Sequence, residues 1–185
     1  MQAFDRLALD TARLQLRPLL DGDADALYAI FSDPAVMRYW SSPPWTGLEQ
    51  AQAMIAADAE DLRSGRHLRL GLVSKASARL IGTCSLFNFH EQCRRAEIGY
   101  GLARAAWGQG FMHEALSALL RFAFVELEMN RLEADIDPRN TASACSLERL
   151  GFRQEGHLRE RWIVGGEVSD SSLYGLLRRE WEARA

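Results

Sequence analysis

One stretch constrains the fold of this chain more than any other: residues 96–124, which read AEIGYGLARAAWGQGFMHEALSALLRFAF. Its start alternates like a strand, and successive side chains of a strand point to opposite faces. Glu97, Gly99 and Gly101 therefore share one face, which the glycines leave nearly empty. An empty strand face usually marks the close approach of a ligand or of another backbone. The opposite face is packed and carries Ala96, Ile98, Tyr100 and Leu102.

A glycine loop follows this strand and leads straight into an apolar helix. Gly108 and Gly110 precede the helix start, where unpaired backbone N–H groups and a partial positive charge attract anions. The loop lacks the Lys-Ser/Thr ending of a nucleoside triphosphatase loop and does not read as a dinucleotide loop. It predicts a phosphate site made of backbone. The alternative is that both glycines only shape a turn before a core helix.

The apolar period predicts the other elements. "RLQLRPL" indicates a first strand, and two helices follow in "DGDADALYAIFSDP" and "LEQAQAMIAADAEDLRSG", stopped by Pro34 and Gly65. Period-two runs then indicate an antiparallel meander through "RHLRLGLVSK", "RLIGTCSLFNF" and "AEIGYGL". After the helix come a strand in "RLEADID", a helix in "TASACSLERL" and a hairpin around "VGGEV". With no linker visible, we expect one α/β (α+β) domain over residues 1–185, its mixed, mostly antiparallel sheet flanked by helices.

Charge and composition exclude several classes of protein. The net charge is −3 with scattered basic residues, which argues against nucleic-acid binding. No apolar run reaches the ~20 residues of a membrane span, and the N-terminus does not read as a signal peptide, so we expect a cytoplasmic protein. The three cysteines suit reduced thiols, and no metal is expected because the four histidines form no metal-ligand spacing with them. We expect a monomer or a homodimer formed through edge strands.

Two further groups of residues are candidates for a catalytic or ligand-binding role, and each also has a structural interpretation. Glu97 can act as a general base, directly or through a water, or it can be a surface residue paired with Arg94 or Arg95. Asn140 and Ser143 open a predicted helix, where either can face a ligand or, for Asn140, simply cap the helix. Cys145 is interpreted as a packing residue of that helix.

The combination of these motifs resembles a known family. E-I-G-Y, W-G-x-G with E-A, and N-x-x-S with L-G-F, all within residues 96–160, look like the core of the GNAT acetyltransferase superfamily, in its ribosomal-protein alanine N-acetyltransferase (Rim type) branch. The resemblance implies a splayed sheet that holds acetyl-CoA in a V-shaped gap. It implies that the pantetheine pairs with the strand of Tyr100 and Leu102, and that Asn140 and Ser143 face the pantetheine and the thioester sulfur. It implies that the pyrophosphate rests on the backbone of Trp107, Gly108, Gln109, Gly110, Phe111 and Met112. Glu97 matches a carboxylate proposed as the base in this branch.

Two departures from the family pattern concern the loop and the catalytic acid. Ala105 stands where the family loop usually begins with Gln or Arg, which a backbone site tolerates. Leu147 stands where many members carry a Tyr that protonates the leaving thiolate. Ser143 is the nearest candidate for that role, and water is the alternative.

From this resemblance we predict that the acceptor is a primary amine at the N-terminus of a ribosomal or other protein. An α-amine is roughly 10% neutral at pH 7, far more than a lysine amine, and so suits a weak carboxylate base. The loop "MRYWSSPPWTG" supplies Arg38, Tyr39 and Trp40 as acceptor-binding candidates, with plain packing as the alternative for the aromatics. A small-molecule amine (a polyamine, an amino sugar or an antibiotic) is the second hypothesis. A non-catalytic, CoA-binding regulatory module is the third.

Overall fold

The structure is a computed structural model that describes residues 3–184, so the predicted domain ends at residues 1 and 185 lie outside it. Within that range the strands are β1 (Leu9–Asp10), β2 (Leu14–Arg17), β3 (Leu68–Ser74), β4 (Leu80–His90), β5 (Arg95–Leu102), β6 (Arg131–Ile136), β7 (Arg153–Val164) and β8 (Glu167–Leu177). The helices over the same residues are α1 (Ala24–Phe31), α2 (Pro34–Met37), α3 (Leu48–Ser64), α4 (Phe111–Arg121), α5 (Thr141–Leu150) and α6 (Arg178–Glu182). A π-helical turn, Phe122–Glu126, continues α4.

The strands form one mixed sheet in the order β1-β2-β3-β4-β5-β6-β8-β7. Neighbouring strands run antiparallel except for β5 and β6, which are parallel. That parallel pairing covers only Arg95–Glu97 of β5, opposite Arg131, Leu132 and Glu133 of β6. Beyond Glu97 the two strands separate. The prediction of a mixed, mostly antiparallel and splayed sheet is confirmed.

The main core lies between the sheet and α4. Leu68, Leu70 and Leu72 of β3 are fully buried, as their period of two requires. The buried residues of α4 recur at helical spacing and pack on the same core: Ala115, Leu116, Leu119 and Leu120. A smaller cluster of α1, α2 and α3 residues lies apart from it, with Phe31 buried and Trp40 and Trp45 packed against it. The second cluster fixes the loop that carries the acceptor-binding candidates.

Most predicted elements are confirmed, with some corrections. Gly65 and Gly151 end α3 and α5 in the left-handed conformation. Pro34 does not stop α1, which already ends at Phe31; it begins α2, where its fixed φ suits the first helical turn. Cys145 is exposed rather than packed, because the inward face of α5 is formed by other residues, namely Ser143, Leu147 and Leu150. Over residues 3–184, no helix is both long and apolar enough to cross a bilayer.

Candidate active site

The gap between β5 and β6 holds the main cavity, of about 760 Å³. One wall is β5 at Ile98, Gly99 and Tyr100, and the other is the stretch 134–137 that ends β6. Past Glu97, β5 is hydrogen-bonded to β4 alone, so its other edge has no strand partner in the described chain. A free strand edge beside a cleft can pair with an extended, amide-containing ligand. The volume lies in the range of small-molecule and cofactor sites.

Glu97 lies where the sheet opens and lines this cavity. Its Oε1 accepts a hydrogen bond from Asn88 Nδ2 at 3.1 Å. Asn88 has a φ of +52° and interrupts the register between β4 and β5, so this irregularity turns its amide toward the carboxylate. The alternative of an ion pair is wrong for residues 3–184, because Arg95 binds Glu133 at 2.6 Å and no cation lies within ion-pair distance of Glu97.

Tyr100 and Ser143 meet across the gap. Their hydroxyl oxygens are 2.6 Å apart, and both residues line the cavity. Burial raises the pKa of Tyr100 to about 12, so this phenol stays protonated at neutral pH. Leu147, which replaces the family's Tyr, is fully buried in the core and offers no proton. Ser143, the predicted candidate for the acid role, therefore has its hydroxyl in the cavity, hydrogen-bonded to Tyr100.

Asn140 begins α5, as its capping interpretation predicts. Its Oδ1 accepts from the Ser143 backbone N–H at 3.1 Å, which fixes the first turn of the helix. Asn140 and Ser143 both line the cavity. The cap therefore positions Ser143, while the amide nitrogen of Asn140 remains a donor for a ligand.

The glycine loop lies at the far end of β5 and does not line the main cavity. Gly108 and Gly110 have φ values of +70° and +78°, which side-chain-bearing residues rarely adopt. Over residues 3–184, no side chain caps the N-terminus of α4, and a Cβ built on Gly108 would have nothing within 4 Å beyond its chain neighbours. The Trp107 indole donates to the Leu102 carbonyl at 2.7 Å and holds the loop against β5. This uncapped helix start beside open space fits a pyrophosphate.

The glycine face of β5 is not empty, and this prediction is corrected. A Cβ on Gly101 would lie 2.9 Å from Trp40 Cζ2, and one on Gly99 would lie 3.1 Å from Phe87 Cε1. Aromatic side chains therefore occupy the space that the glycines leave. Gly99 still lines the cavity, whereas Gly101 makes room for Trp40.

The acceptor-binding candidates Arg38, Tyr39 and Trp40 all line the cavity. Trp40 also packs edge-on against Phe31, with ring centroids 5.1 Å apart, so packing is part of its role. Arg38 is exposed and lies 3.8 Å from Glu167 of the β7–β8 hairpin. The structure thus brings the loop to the same cavity as Glu97.

Arginines neutralise most of the acidic residues of the cavity. Arg139 binds Asp137 at 2.6 Å and Glu167 at 2.5 Å, and Arg161 lies 3.4 Å from Asp135. The hydrogen bond from Arg139 lowers the pKa of Asp137 and of Glu167. The sequence did not indicate this pairing, because Glu167 lies on a hairpin that is far from Arg139 along the chain. Over residues 3–184, no group of His, Cys, Asp and Glu side chains is arranged to hold a metal ion.

Residues of β3 and β4, and the residue just before β3, also reach the cavity, and none of them was predicted as part of the site. They are His67, Arg69, Thr83, Ser85, Phe87 and Asn88. A signal for two of them was present in "RHLRLGL": where Leu68 and Leu70 face the core, His67 and Arg69 must face the other side of the sheet.

Comparisons with known proteins agree with this geometry. Residues 13–153 match the acetyltransferase (GNAT) domain family. The chain is 38% identical to the uncharacterized N-acetyltransferase p20 of Bacillus licheniformis, over 94% of this chain and 97% of that protein. It is 26% identical to the ribosomal protein uS5 alanine N-acetyltransferase of Escherichia coli, over 95% of this chain and 93% of that protein. The solved spermidine N-acetyltransferase of Vibrio cholerae, in complex with CoA and spermine, superposes with a TM-score of 0.82 at 22% identity, covering 93% of this chain and 99% of that one.

Proposed function

We propose that this chain, which belongs to the GNAT acetyltransferase family, transfers the acetyl group of acetyl-CoA to the α-amine at a peptide or protein N-terminus. The family match and the similar N-acetyltransferases establish an acetyl-CoA-dependent N-acetyltransferase. The proposal concerns the acceptor, since the named acceptors of the relatives include both a protein alanine and spermidine.

The charged residues that line the cavity favour a peptide N-terminus over a polyamine as the acceptor. Asp135, Asp137 and Glu167 are each paired with an arginine, and Glu97 is the acidic residue of the described lining without one. A polyamine carries several positive charges, and burying each of them requires a partner. A peptide N-terminus brings a single amine, which one carboxylate can serve. The pairing therefore favours the peptide.

The proposed mechanism uses three side chains. Acetyl-CoA supplies the acetyl group as a thioester. Glu97 takes a proton from the acceptor amine as the N–C bond forms and the C–S bond breaks. The Ser143 hydroxyl, held by Tyr100, donates a hydrogen bond to the departing thiolate, which takes its proton from water as Glu97 returns one to solvent. Much of the rate comes from holding the amine and the thioester together.

Acetyl transfer measured as free thiol release tests this proposal. The acceptors are short peptides with free N-termini, spermidine and an aminoglycoside, assayed with the wild-type chain and with Glu97→Gln. We expect turnover of peptides, a fall of about 100-fold in kcat for the variant, and unchanged CoA affinity. The exposed Glu60→Gln, on α3 away from the cavity, is the matched control. Turnover of spermidine alone would refute the peptide proposal, and CoA binding without any turnover would favour the regulatory module.

A small-molecule amine stays the second candidate, because the cavity is large enough for one and is lined by polar groups. Three predictions from the sequence remain untested and belong to the same proposal: a single N-acetyltransferase domain over 1–185, a cytoplasmic location, and a monomer or homodimer.

A further inference from the structure

The floor of the cavity carries a cationic side chain that the mechanism above does not use. Arg69 of β3 lines the cavity, and its cross-strand neighbours in register are Ser85 of β4 and then Gly99 of β5. These residues share one face of the sheet, and the neighbouring row carries His67, Phe87 and Glu97. Arg69 and Glu97 therefore lie on the same floor, at two places separated by the width of β4.

A buried carboxylate on the neighbouring helix fixes Arg69. Its Nη1 donates to Oδ1 of Asp58 at 2.5 Å, and Asp58 of α3 is only 4% exposed. Burial raises the pKa of Asp58, and the guanidinium opposes that rise. The pair holds the Arg69 side chain in one position and leaves the floor with little net charge.

The floor offers more hydrogen-bonding groups than the protein uses. A guanidinium has five N–H donors, and the bond to Asp58 is the one that Arg69 makes within residues 3–184. Two further buried polar atoms have no hydrogen-bond partner over the same residues: His67 Nε2 of the cavity lining, and Asp58 Oδ2, which belongs to α3 and does not line the cavity. Burial, followed by the nearby Arg69 charge, lowers the pKa of His67 to about 4, so its imidazole is neutral at pH 7. Because the Arg69–Asp58 pair has little net charge, the remaining N–H groups of Arg69 suit a neutral carbonyl oxygen better than a cationic amine.

The spacing fits a short extended peptide. Two strand separations of about 4.8 Å and two residues along the strand place the Cα atoms of Arg69 and Glu97 about 12 Å apart. Both side chains line the cavity, and a hydrogen bond of about 3 Å at each end of an acceptor would cover part of that span. Two residues of extended peptide cover about 7 Å. An amine at Glu97 and a carbonyl near Arg69 can therefore belong to the first two residues of one acceptor.

We propose that Arg69, held by Asp58, donates hydrogen bonds to a backbone carbonyl oxygen within the first two residues of the acceptor peptide. The inference rests on the proposed peptide N-terminal activity and adds the group that recognises the peptide backbone. It makes Arg69 a specificity residue that lowers KM for peptides and leaves the chemical step unchanged.

Steady-state kinetics of Arg69→Gln test it against two acceptors. One is an alanyl dipeptide amide, and the other is 1,2-diaminopropane, a diamine that keeps the alanyl amine and methyl group and has no carbonyl. We expect KM for the dipeptide to rise about 10- to 100-fold with kcat within twofold, because a charged hydrogen bond is lost. The kcat/KM for the diamine and KM for acetyl-CoA should stay unchanged. Arg69→Lys should recover part of the loss for the dipeptide alone.

Two further variants keep the test decisive. Arg66→Gln removes an arginine that pairs with Asp61 outside the cavity and should match the wild type. If Arg69→Gln fails to fold because Asp58 loses its partner, Asp58→Asn/Arg69→Gln removes both charges and should show the same rise in KM. An unchanged dipeptide KM in the folded variants would overturn the role of Arg69 and leave the peptide activity standing. A wild-type enzyme that acetylates the diamine and not the dipeptide would overturn both.

Discussion

Replacing Gly101 by alanine should loosen the loop that borders the main cavity. The new Cβ would lie 2.9 Å from Trp40 Cζ2, 3.6 Å from Trp40 Cη2 and 3.7 Å from Phe31 Cε1. The first distance is shorter than atoms in proteins tolerate, so the indole must move by roughly 0.5–1 Å to restore ordinary contact. Gly101 does not have a positive φ, so its backbone accepts alanine without strain.

Gly101→Ala should lower the free energy of unfolding because the added methyl group overpacks this site. Extra methyl groups in a packed site destabilise by about 1–3 kcal/mol. With a urea m-value of about 2 kcal/mol/M, a loss of about 2 kcal/mol lowers the midpoint of urea unfolding by about 1 M. Because Trp40 lines the cavity in which we propose that the acceptor binds, its displacement should also raise the acceptor KM several-fold while CoA affinity stays unchanged.

Two variants serve as controls for this experiment. Gly22→Ala adds a methyl group where no atom of residues 3–184, apart from its chain neighbours, lies within 4 Å, and should leave the urea midpoint unchanged. In Gly101→Ala/Trp40→Phe, the smaller ring should recover part of the stability lost in Gly101→Ala. A single variant as stable as the wild type, or a double variant in which the two losses simply add, would refute the steric argument.

Three other variants test separate parts of the structure. Tyr100→Phe removes the hydroxyl that bonds to Ser143 and should lower kcat about tenfold, with CoA affinity measured by titration calorimetry unchanged. Gly108→Ala forces a side chain into a φ of +70° at a cost of about 1 kcal/mol and should raise KM for acetyl-CoA roughly fivefold, although no atom of residues 3–184 beyond the chain neighbours obstructs the methyl group. Burial, followed by the Arg69 charge, lowers the pKa of His67 from 6.5 to about 4, so the unfolded chain binds that proton more tightly. Stability due to this group is complete above pH 6.5 and falls by about 2 kcal/mol by pH 5, and His67→Gln should flatten that part of the urea-stability profile.

Local signals predicted the elements of this fold well. The alternation of Leu68, Leu70 and Leu72 identified β3, and Gly65 and Gly151 marked the ends of α3 and α5. Short elements such as β1 and α6 escaped prediction, since two to five residues are too few to display a period. Pro34 was misjudged because the same fixed φ that prevents helix continuation also suits a helix start.

The site was harder to predict, because its contacts join distant segments. Asn88 reaches Glu97 through a break in the strand register, which leaves no periodic trace in the sequence. The glycine at 101 correctly indicated a close approach, but the approaching group is Trp40 rather than a ligand. Arg69 stayed unnoticed because an arginine on a half-buried strand is usually a solvent-facing residue.

The parallel pairing of β5 and β6 gives the two arms of the sheet a common hinge. Within the described chain, strand pairing joins the arms only at Arg95–Glu97, opposite Arg131, Leu132 and Glu133. Points near a hinge axis move least when the arms swing. Glu97 lies beside that axis, whereas the glycine loop is at the outer end of one arm. A swing of the arms about this pairing would therefore displace Glu97 less than it displaces the glycine loop.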